Sequence, residues 1–501
     1  MDWTWEQAAR ALGAAPTAAG PAGQIAGVSI DSRTVARGEL FFAVRGERLD
    51  AHEFVPAALA RGAAGAVVCA SRVAEYAPAL RPRLLGVDDP LAALQRLARA
   101  WRMEWGRKPS ANCPAGRRLA AVTGSVGKTT TKEILAALLG ARFRTLKSTG
   151  NLNNLFGVPL TLARLEPEHD AAVIEMGMSR RGEIERLAWM AQPEVGIVTR
   201  VAPVHLEFFA SLEEIAAAKR ELVEGLAGDD PVAVLNADDP RVAAFAGVIE
   251  ARGRGRVLTF GAAAQADFRA VRIEERGLEG TLLEYSGPQG NATVSVPLLG
   301  AHNAMNALAA LAAASCWGVG SEDARRAFAE LAPGAMRGEV LRFAVGFTVI
   351  NDCYNSSPAA LDAVVDVAAH SPGFRRRILV AGEMLELGAT SAELHRQAGR
   401  HAASLGTLDW IFGVRGDAQH LLRGAVEAGL PADRQRFFES AEEAAAFFPG
   451  FLEPGDLVLL KASRGVRLER VVDALRAAGP LLETSQTRSA MDAPGAHSST
   501  H

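Results

Sequence analysis

The chain has 501 residues, 49% hydrophobic and 22% charged, with a formal net charge of −3 and a pI of about 6.4. That is the balance of an ordinary globular protein of about three domains by length. It offers no basic tract for nucleic acid or an anionic membrane surface, no apolar run of about 18 residues to span a bilayer, and no leader-like pattern at Met1-Asp-Trp-Thr-Trp-Glu6. Cys69, Cys113, Cys316 and Cys353 form no metal or redox spacing, so reduced, buried thiols are expected. The whole reads as a cytoplasmic enzyme, monomeric by default.

Residues 1–112 form a first unit. Residues 3–12 read as a short helix. Residues 28–30 and 38–44 read as strands, with turn chemistry at Asp31-Ser32-Arg33 between them. A polar loop over 46–54 precedes a helix over 54–60 and a strand over 66–69. Residues 106–116, rich in Pro, Gly and Lys/Arg, have the composition of a linker.

Residues 113–334 alternate strand-like and helix-like runs, the pattern of a mostly parallel sheet covered on both faces. The first apolar run, Arg118-Leu-Ala-Ala-Val-Thr123, ends in Gly124-Ser125-Val126-Gly127-Lys128-Thr129-Thr130 and then a helix-forming run. This is the layout of a phosphate cradle. Turn amides and the helix N-terminus face an anion, Lys128 reaches the terminal phosphates, and the Thr129 hydroxyl takes Mg²⁺. The strict pattern G-x-x-x-x-G-K-[ST] asks for Gly at 122, where Val122 stands. A Gly-rich strand-to-helix turn is the plain alternative. The strand over 170–174 ends in Glu175, and that over 195–201 runs to His205. Ligands of such sheets sit at the carboxyl ends of strands, which puts both residues on the rim with Lys128. Residues 145–154 make a polar loop crowded with amides, Asn153 and Asn154 among them. Ser211-Leu-Glu-Glu214 has the capping-box pattern and opens a helix carrying Lys219, a position where lysine is ordinarily a solvated charge. Residues 265–297 read as a β-rich excursion, and Gly300-Ala-His302-Asn303-Ala-Met-Asn306 opens a long Ala/Leu helix.

Residues 335–482 read as a second doubly wound α/β unit. Its strands lead into three polar segments: Asp352-Cys-Tyr354-Asn355-Ser-Ser-Pro358, Gly382-Glu-Met-Leu-Glu386-Leu-Gly388, and Lys461-Ala-Ser463-Arg464. Residues 483–501 are polar and poor in core formers, as in a disordered tail.

Together these segments resemble the Mur ligases, the ATP-dependent amide-forming enzymes of peptidoglycan synthesis, over nearly the whole chain. Thr123–Thr130 is similar to that family's phosphate loop, which lacks the first Walker glycine. Gly300-x-His302-Asn303-x-x-Asn306 is similar to its Asn motif, and Lys461-Ala-Ser463-Arg464 to its C-terminal motif. Within the family, Gly150-Asn-Leu-Asn153-Asn154, Glu175-Met-Gly177, the Asp352 segment and the 382–388 segment are most similar to members that use D-alanyl-D-alanine. The Asp-Asn-Pro-Arg motif of members that add the third peptide residue is missing. Ser356-Ser357-Pro358 stands where Ala-Asn-Pro is more usual.

The resemblance implies three domains: a smaller N-terminal α/β domain (1–112), a central P-loop-type domain with a mostly parallel sheet (113–334) and a C-terminal Rossmann-like domain (335–482). It implies ATP-dependent ligation of D-alanyl-D-alanine to UDP-N-acetylmuramoyl-tripeptide through an acyl phosphate. It assigns ATP contacts to Gly124 through Thr130, Asn303, Asn306, Arg337 and Asp352, and metal contacts for two Mg²⁺ to Thr129, Glu175, His205 and a CO₂-carbamylated Lys219. Lys128, Glu175, His205 and Lys219 are the catalytic set. Ser32 and Arg33, with the loop 46–52, fall at the uridine diphosphate end. Asn153, Asn154, Tyr354, Asn355, Lys461, Ser463 and Arg464 fall at the rest of the substrate. Split ATP motifs place a hinge near 332–338. The rivals are another Mur-type or folylpolyglutamate-synthase-like ligase, a P-loop switch or motor, and a nucleotide-sugar binding module. Glu175 in place of an Asp-ending strand beside the loop speaks against the switch.

Overall fold

Residues 3–14, 21, 23–46, 49–113, 116–203, 209 and 211–482 are described by a computed structural model. His205 and the expected tail over 483–501 lie outside them. A four-stranded sheet in the first unit is built from strands Gly27–Ser29, Glu39–Phe42, Gly65–Cys69 and Leu84–Val87, all parallel and in chain order. Trp3–Thr4 pairs with Gln24–Ile25, so the expected helix over 3–12 begins only at Trp5. Thr4 and Gln7 close a reciprocal cap there.

The sequence reading passed over the strand Leu84–Val87 and the helix Pro90–Arg107. Asp89 caps that helix by accepting from the Leu91 and Ala92 amides, and Pro90 takes the first helical position. Its buried residues Leu94, Leu97, Ala98, Trp101 and Trp105 recur at helical spacing. They share one apolar core with the central helices Gly157–Leu162 and Glu183–Ala191. The expected linker over 106–116 is therefore helix up to Arg107.

The central sheet has nine strands, in the order Gly290–Val296, Thr281–Gly287, Phe268–Glu275, Arg256–Gly261, Val232–Asn236, Val195–Val198, Arg118–Thr123, Ala171–Glu175 and Thr145–Lys147. The first two junctions are antiparallel and the rest parallel. Arg118–Thr123 has later strands on both sides, with Val122 opposite Glu175 on one and Ile197 on the other. Chain order reverses at this strand, and the crevice beyond its carboxyl end is where ligands bind in such sheets.

The third sheet runs Glu339–Arg342, Thr348–Asp352, Asp456–Lys461, Arg376–Gly382, Trp410–Val414 and Gln435–Phe438, parallel after its first junction. Apolar clusters cover both faces. Among the described residues no helix is long and apolar enough to cross a membrane. The four cysteines are free, but only Cys353 is fully buried; Cys69, Cys113 and Cys316 are half-exposed.

Candidate active site

The carboxyl ends of the central and C-terminal sheets face one another across a cleft of about 860 Å³. Its central wall is the loop between Arg118–Thr123 and the helix Lys128–Gly140. Val122 is fully buried in the strand, in the core against this helix, so residue 122 is sheet, and a glycine there would serve no turn. The demand for glycine falls at Gly124 and Gly127, with φ of +148° and +87°. A Cβ on Gly124 would lie 1.9 Å from Thr199 Oγ1, and one on Gly127 2.3 Å from Asn306 Oδ1. Thr199 donates its hydroxyl to the Val126 carbonyl at 2.6 Å. Ser125 is tied to Ala202 through its hydroxyl (3.0 Å) and to the Arg200 carbonyl through its amide (2.7 Å). The shape of the loop is thus fixed by bonds within the protein.

Lys128 folds back onto the carbonyls of Gly124 (2.8 Å) and Ser125 (3.3 Å). Burial pushes its pKa down, while Glu175 and Glu386 pull it up and Arg337 opposes them. The Glu175 carboxylate accepts from the Thr129 hydroxyl at 2.8 Å and from the Asn153 amide at 2.9 Å. Behind it lies Lys132, fully buried, 3.8 Å from Glu175, bonded to the Ser148 carbonyl (2.9 Å) and paired with Glu133 (2.8 Å). The sequence reading missed Lys132. Its position four residues after Lys128, on the same helix face, was the available signal.

Lys219 lines the same cleft and is 2% exposed, a correction to the solvated charge that its helix pattern implies. Burial drives its pKa well below the ordinary lysine value, and neighbouring Lys128 pushes the same way. Thr129 and Glu175 present the oxygen donors that suit Mg²⁺. Among the described residues no group of three His, Cys, Asp or Glu side chains converges as a metal cage, so any ion would also draw on the nucleotide phosphates and water.

The opposite wall comes from the C-terminal domain. The Arg337 guanidinium lies 4.0 Å over the Tyr354 ring. Asp352 accepts from the Gly338 amide at 3.1 Å and pairs with Lys461 at 2.7 Å. Lys461 also donates to the Asn355 carbonyl at 2.8 Å, and the Ser463 hydroxyl accepts from the Leu385 amide at 3.0 Å. These two expected substrate contacts border the cleft, yet their polar atoms are engaged within the protein. Arg464 pairs with Glu469 and reaches Met336 Sδ. Asn154 accepts from the Phe156 and Gly157 amides, at 3.2 and 2.9 Å. Asn306 donates to Asn303 at 3.0 Å, and Asn303 to the Leu299 carbonyl at 2.9 Å.

Ser32 and Arg33 do not line this cleft. The Arg33 side chain is 86% exposed and ion-paired with Asp31 at 2.7 Å, which lowers the Asp31 pKa to about 2. In the nearby loop His52 is buried between Asp50, 2.6 Å from Nδ1, and the Cys69 amide, which donates to Nε2 at 2.9 Å.

Residues 24–102, 122–314 and 336–464 match the catalytic domain of the Mur ligase family, the Mur ligase middle domain and the Mur ligase glutamate ligase domain, respectively. The UDP-N-acetylmuramoyl-tripeptide–D-alanyl-D-alanine ligase of Bacillus subtilis is 34% identical, over 90% of this chain and 93% of its own. The solved structure of MurF from Acinetobacter baumannii superposes with a TM-score of 0.83 at 30% identity, covering 95% of this chain and 99% of that one. The MurF ligase of Thermotoga maritima, solved in complex with ADP, gives a TM-score of 0.74 at 28% identity, covering 91% and 98%. The chain belongs to the Mur ligase family.

Proposed function

We propose that this chain joins D-alanyl-D-alanine to UDP-N-acetylmuramoyl-tripeptide using ATP, through an acyl phosphate, releasing ADP and phosphate. The observation that carries the reading is the single cleft in which the Lys128 loop and Glu175 face Arg337, Asp352 and Tyr354. A carboxylate acylates an amine poorly because its oxygen leaves badly, and phosphorylation supplies the leaving group. Two anions, the substrate carboxylate and the γ-phosphate, must then meet. The site has to offer cations where that charge gathers. Lys128 supplies one on the central wall, with the amide dipoles of residues 126–130 beside it, and Arg337 supplies another on the opposite wall. Mg²⁺, held by Thr129 and Glu175 with His205 and a carbamylated Lys219 as the further proposed ligands, would neutralise phosphate charge. Asn303 and Asn306 lie toward the base of the nucleotide. Asn153, Asn154, Tyr354, Asn355 and Arg464 border the path of the peptide arm.

Domain limits of 1–112, 113–334 and 335–482 accompany this reading, with Ser32, Arg33 and the loop to His52 taking the uridine diphosphate. Arginine suits a diphosphate because its charge is permanent and its fork planar. We place the enzyme in the cytoplasm, as a monomer.

The test is ATP-dependent ADP release with the two substrates supplied together and singly. ADP release and a pentapeptide product only when both are present are expected. Release driven by glutamate or a single amino acid would move the chain to another ligase of the family. Release that needs no amine would overturn the ligase reading in favour of a switch ATPase.

A further inference from the structure

The segment Gly382-Glu383-Met384-Leu385-Glu386-Leu387-Gly388 leaves its strand at the cleft, and the mechanism above gives it no task. Glu386 holds φ at +65°, a region that a glutamate rarely adopts. The backbone around it is pinned. The Met384 amide donates to His395 Nε2 at 2.9 Å. His395 is fully buried and its Nδ1 donates to the Ser391 carbonyl at 2.8 Å, which fixes the neutral tautomer with Nε2 as acceptor. The Leu385 amide is held by Ser463 at 3.0 Å, and the Leu387 carbonyl by the Thr390 hydroxyl at 2.8 Å. Met384 and Leu387 are buried anchors, whereas Leu385 and Glu386 stand exposed between them and line the cleft. A strained backbone that its surroundings enforce is characteristic of functional positions.

The ligation reading leaves one requirement open. An amino acid or dipeptide reaches the enzyme as an ammonium ion, with an α-amino pKa of about 8. It must enter a cleft lined by Lys128, Lys219 and Arg337, and it must lose a proton before its nitrogen can attack. Of the other carboxylates lining the cleft, Glu175, Glu183, Asp238 and Asp239 belong to the central wall, where Glu175 faces Thr129, and Asp352 faces Lys461 on the C-terminal wall. Glu386 projects from the C-terminal wall, near enough to Lys128 for the two charges to act on each other. Arg464 is the remaining charged neighbour on its own wall.

We propose that Glu386 receives the ammonium group of the incoming D-amino-acid dipeptide and acts as the base that frees its nitrogen. This rests on the acyl-phosphate ligase reading. One N–H proton passes to the Glu386 carboxylate. The nitrogen lone pair forms the C–N bond at the acyl carbon, and the C–O bond to phosphate breaks with its electron pair staying on phosphate. The second proton leaves with that phosphate as hydrogen phosphate. Ser463 and His395 are positioning residues, because they fix the turn that presents the carboxylate.

The experiment compares Glu386→Gln with the unaltered enzyme in two assays. In the first, hydroxylamine, uncharged at neutral pH, traps the acyl phosphate formed from ATP and UDP-tripeptide. Hydroxamate yield is expected to stay within about twofold. In the second, amide formation with D-alanyl-D-alanine at neutral pH is expected to fall about 100-fold, the scale of a lost general base. That loss should shrink as pH rises past the dipeptide's own pKa, and KM for the dipeptide should rise. Glu386→Asp should regain part of the rate. Equal losses in both assays would show that the turn is only structural and overturn the proposal, as would amide formation within twofold at every pH. No hydroxamate from the unaltered enzyme would overturn the ligase reading and this assignment with it.

Discussion

Lys219 shows how much a single side chain depends on its surroundings. Its amine is buried beside Lys128, and both effects drive it toward the neutral form. The folded chain holds that proton less tightly than the unfolded chain does, so the group in its plain form costs stability wherever the unfolded chain would carry the charge. A neutral amine is also the form that adds CO₂. The resulting carbamate would exchange a misplaced cation for an anion beside Lys128. Lys219→Ala is therefore expected to keep or raise the thermal midpoint while ligation falls by about 100-fold or more, the upper range for loss of support to a metal site. Acetate or propionate at millimolar levels should restore part of the rate, and labelled bicarbonate should give a carbamate signal that the variant lacks. Activity within twofold of the unaltered enzyme would end this account. Neither the burial of Lys219 nor that of Lys132 was legible in the sequence. Burial is decided by what packs on a helix from elsewhere in the chain, and the local pattern at 215–222 looks amphipathic whichever face is covered.

At the scale of elements, helix Pro90–Arg107 joins the first domain to the second. Arg102, 2% exposed, donates to both Glu194 carboxylate oxygens at 2.7 and 2.8 Å and to the carbonyls of Ala191 (2.9 Å) and Gln192 (3.0 Å). Glu194 in turn accepts from the Leu119 amide at 2.8 Å, at the start of the strand that ends in the phosphate loop. Arg102→Met should lower unfolding free energy by about 3 kcal/mol, the low end for breaking a buried pair, since Glu194 stays partly hydrated. Urea unfolding checks this, with activity per folded molecule near normal because the pair lies outside the cleft lining. A change below about 0.5 kcal/mol, the range of ordinary surface substitutions, would refute it. The phosphate loop was legible because its demands are local: Gly124 and Gly127 for backbone shape, Lys128 and Thr129 for charge and hydroxyl. Glu175 was legible as the end of a buried run. Helix Pro90–Arg107 passed unread although Asp89-Pro90 marks its start and its apolar spacing is regular. The Asp352–Lys461 pair joins residues 109 apart in the chain, and no local pattern announces such a partner.

At the scale of the whole molecule, the nucleotide candidates are divided between two domains joined at 332–338. The later part of that connection belongs mechanically to the C-terminal domain. The Met336 carbonyl accepts from the Tyr354 amide at 3.1 Å, its sulfur meets Arg464, and the Gly338 amide is held by Asp352. Any bending would fall to Ala332-Pro333-Gly334-Ala335, where among the described residues the one loop backbone bond is that from the Arg337 amide to the Gly334 carbonyl. Lys128, Lys219 and Arg337 share the cleft, and Arg337 and Lys219 each raise the electrostatic cost of charge at their neighbour Lys128 or suffer it. The polyphosphate of a nucleotide removes this repulsion, so it binds a narrowed cleft better than an open one and shifts the population toward it. Narrowing also excludes the water that would hydrolyse an acyl phosphate. The radius of gyration from small-angle scattering should therefore fall when a non-hydrolysable ATP analogue and both substrates are added, and fall less with the analogue alone. Arg337→Ala, which removes the cation that the C-terminal wall offers to the nucleotide, should blunt the change without altering the radius of the ligand-free protein. A radius unchanged by the full set of ligands would mean that the two walls are already at their working distance, and that closure has no part in protecting the intermediate.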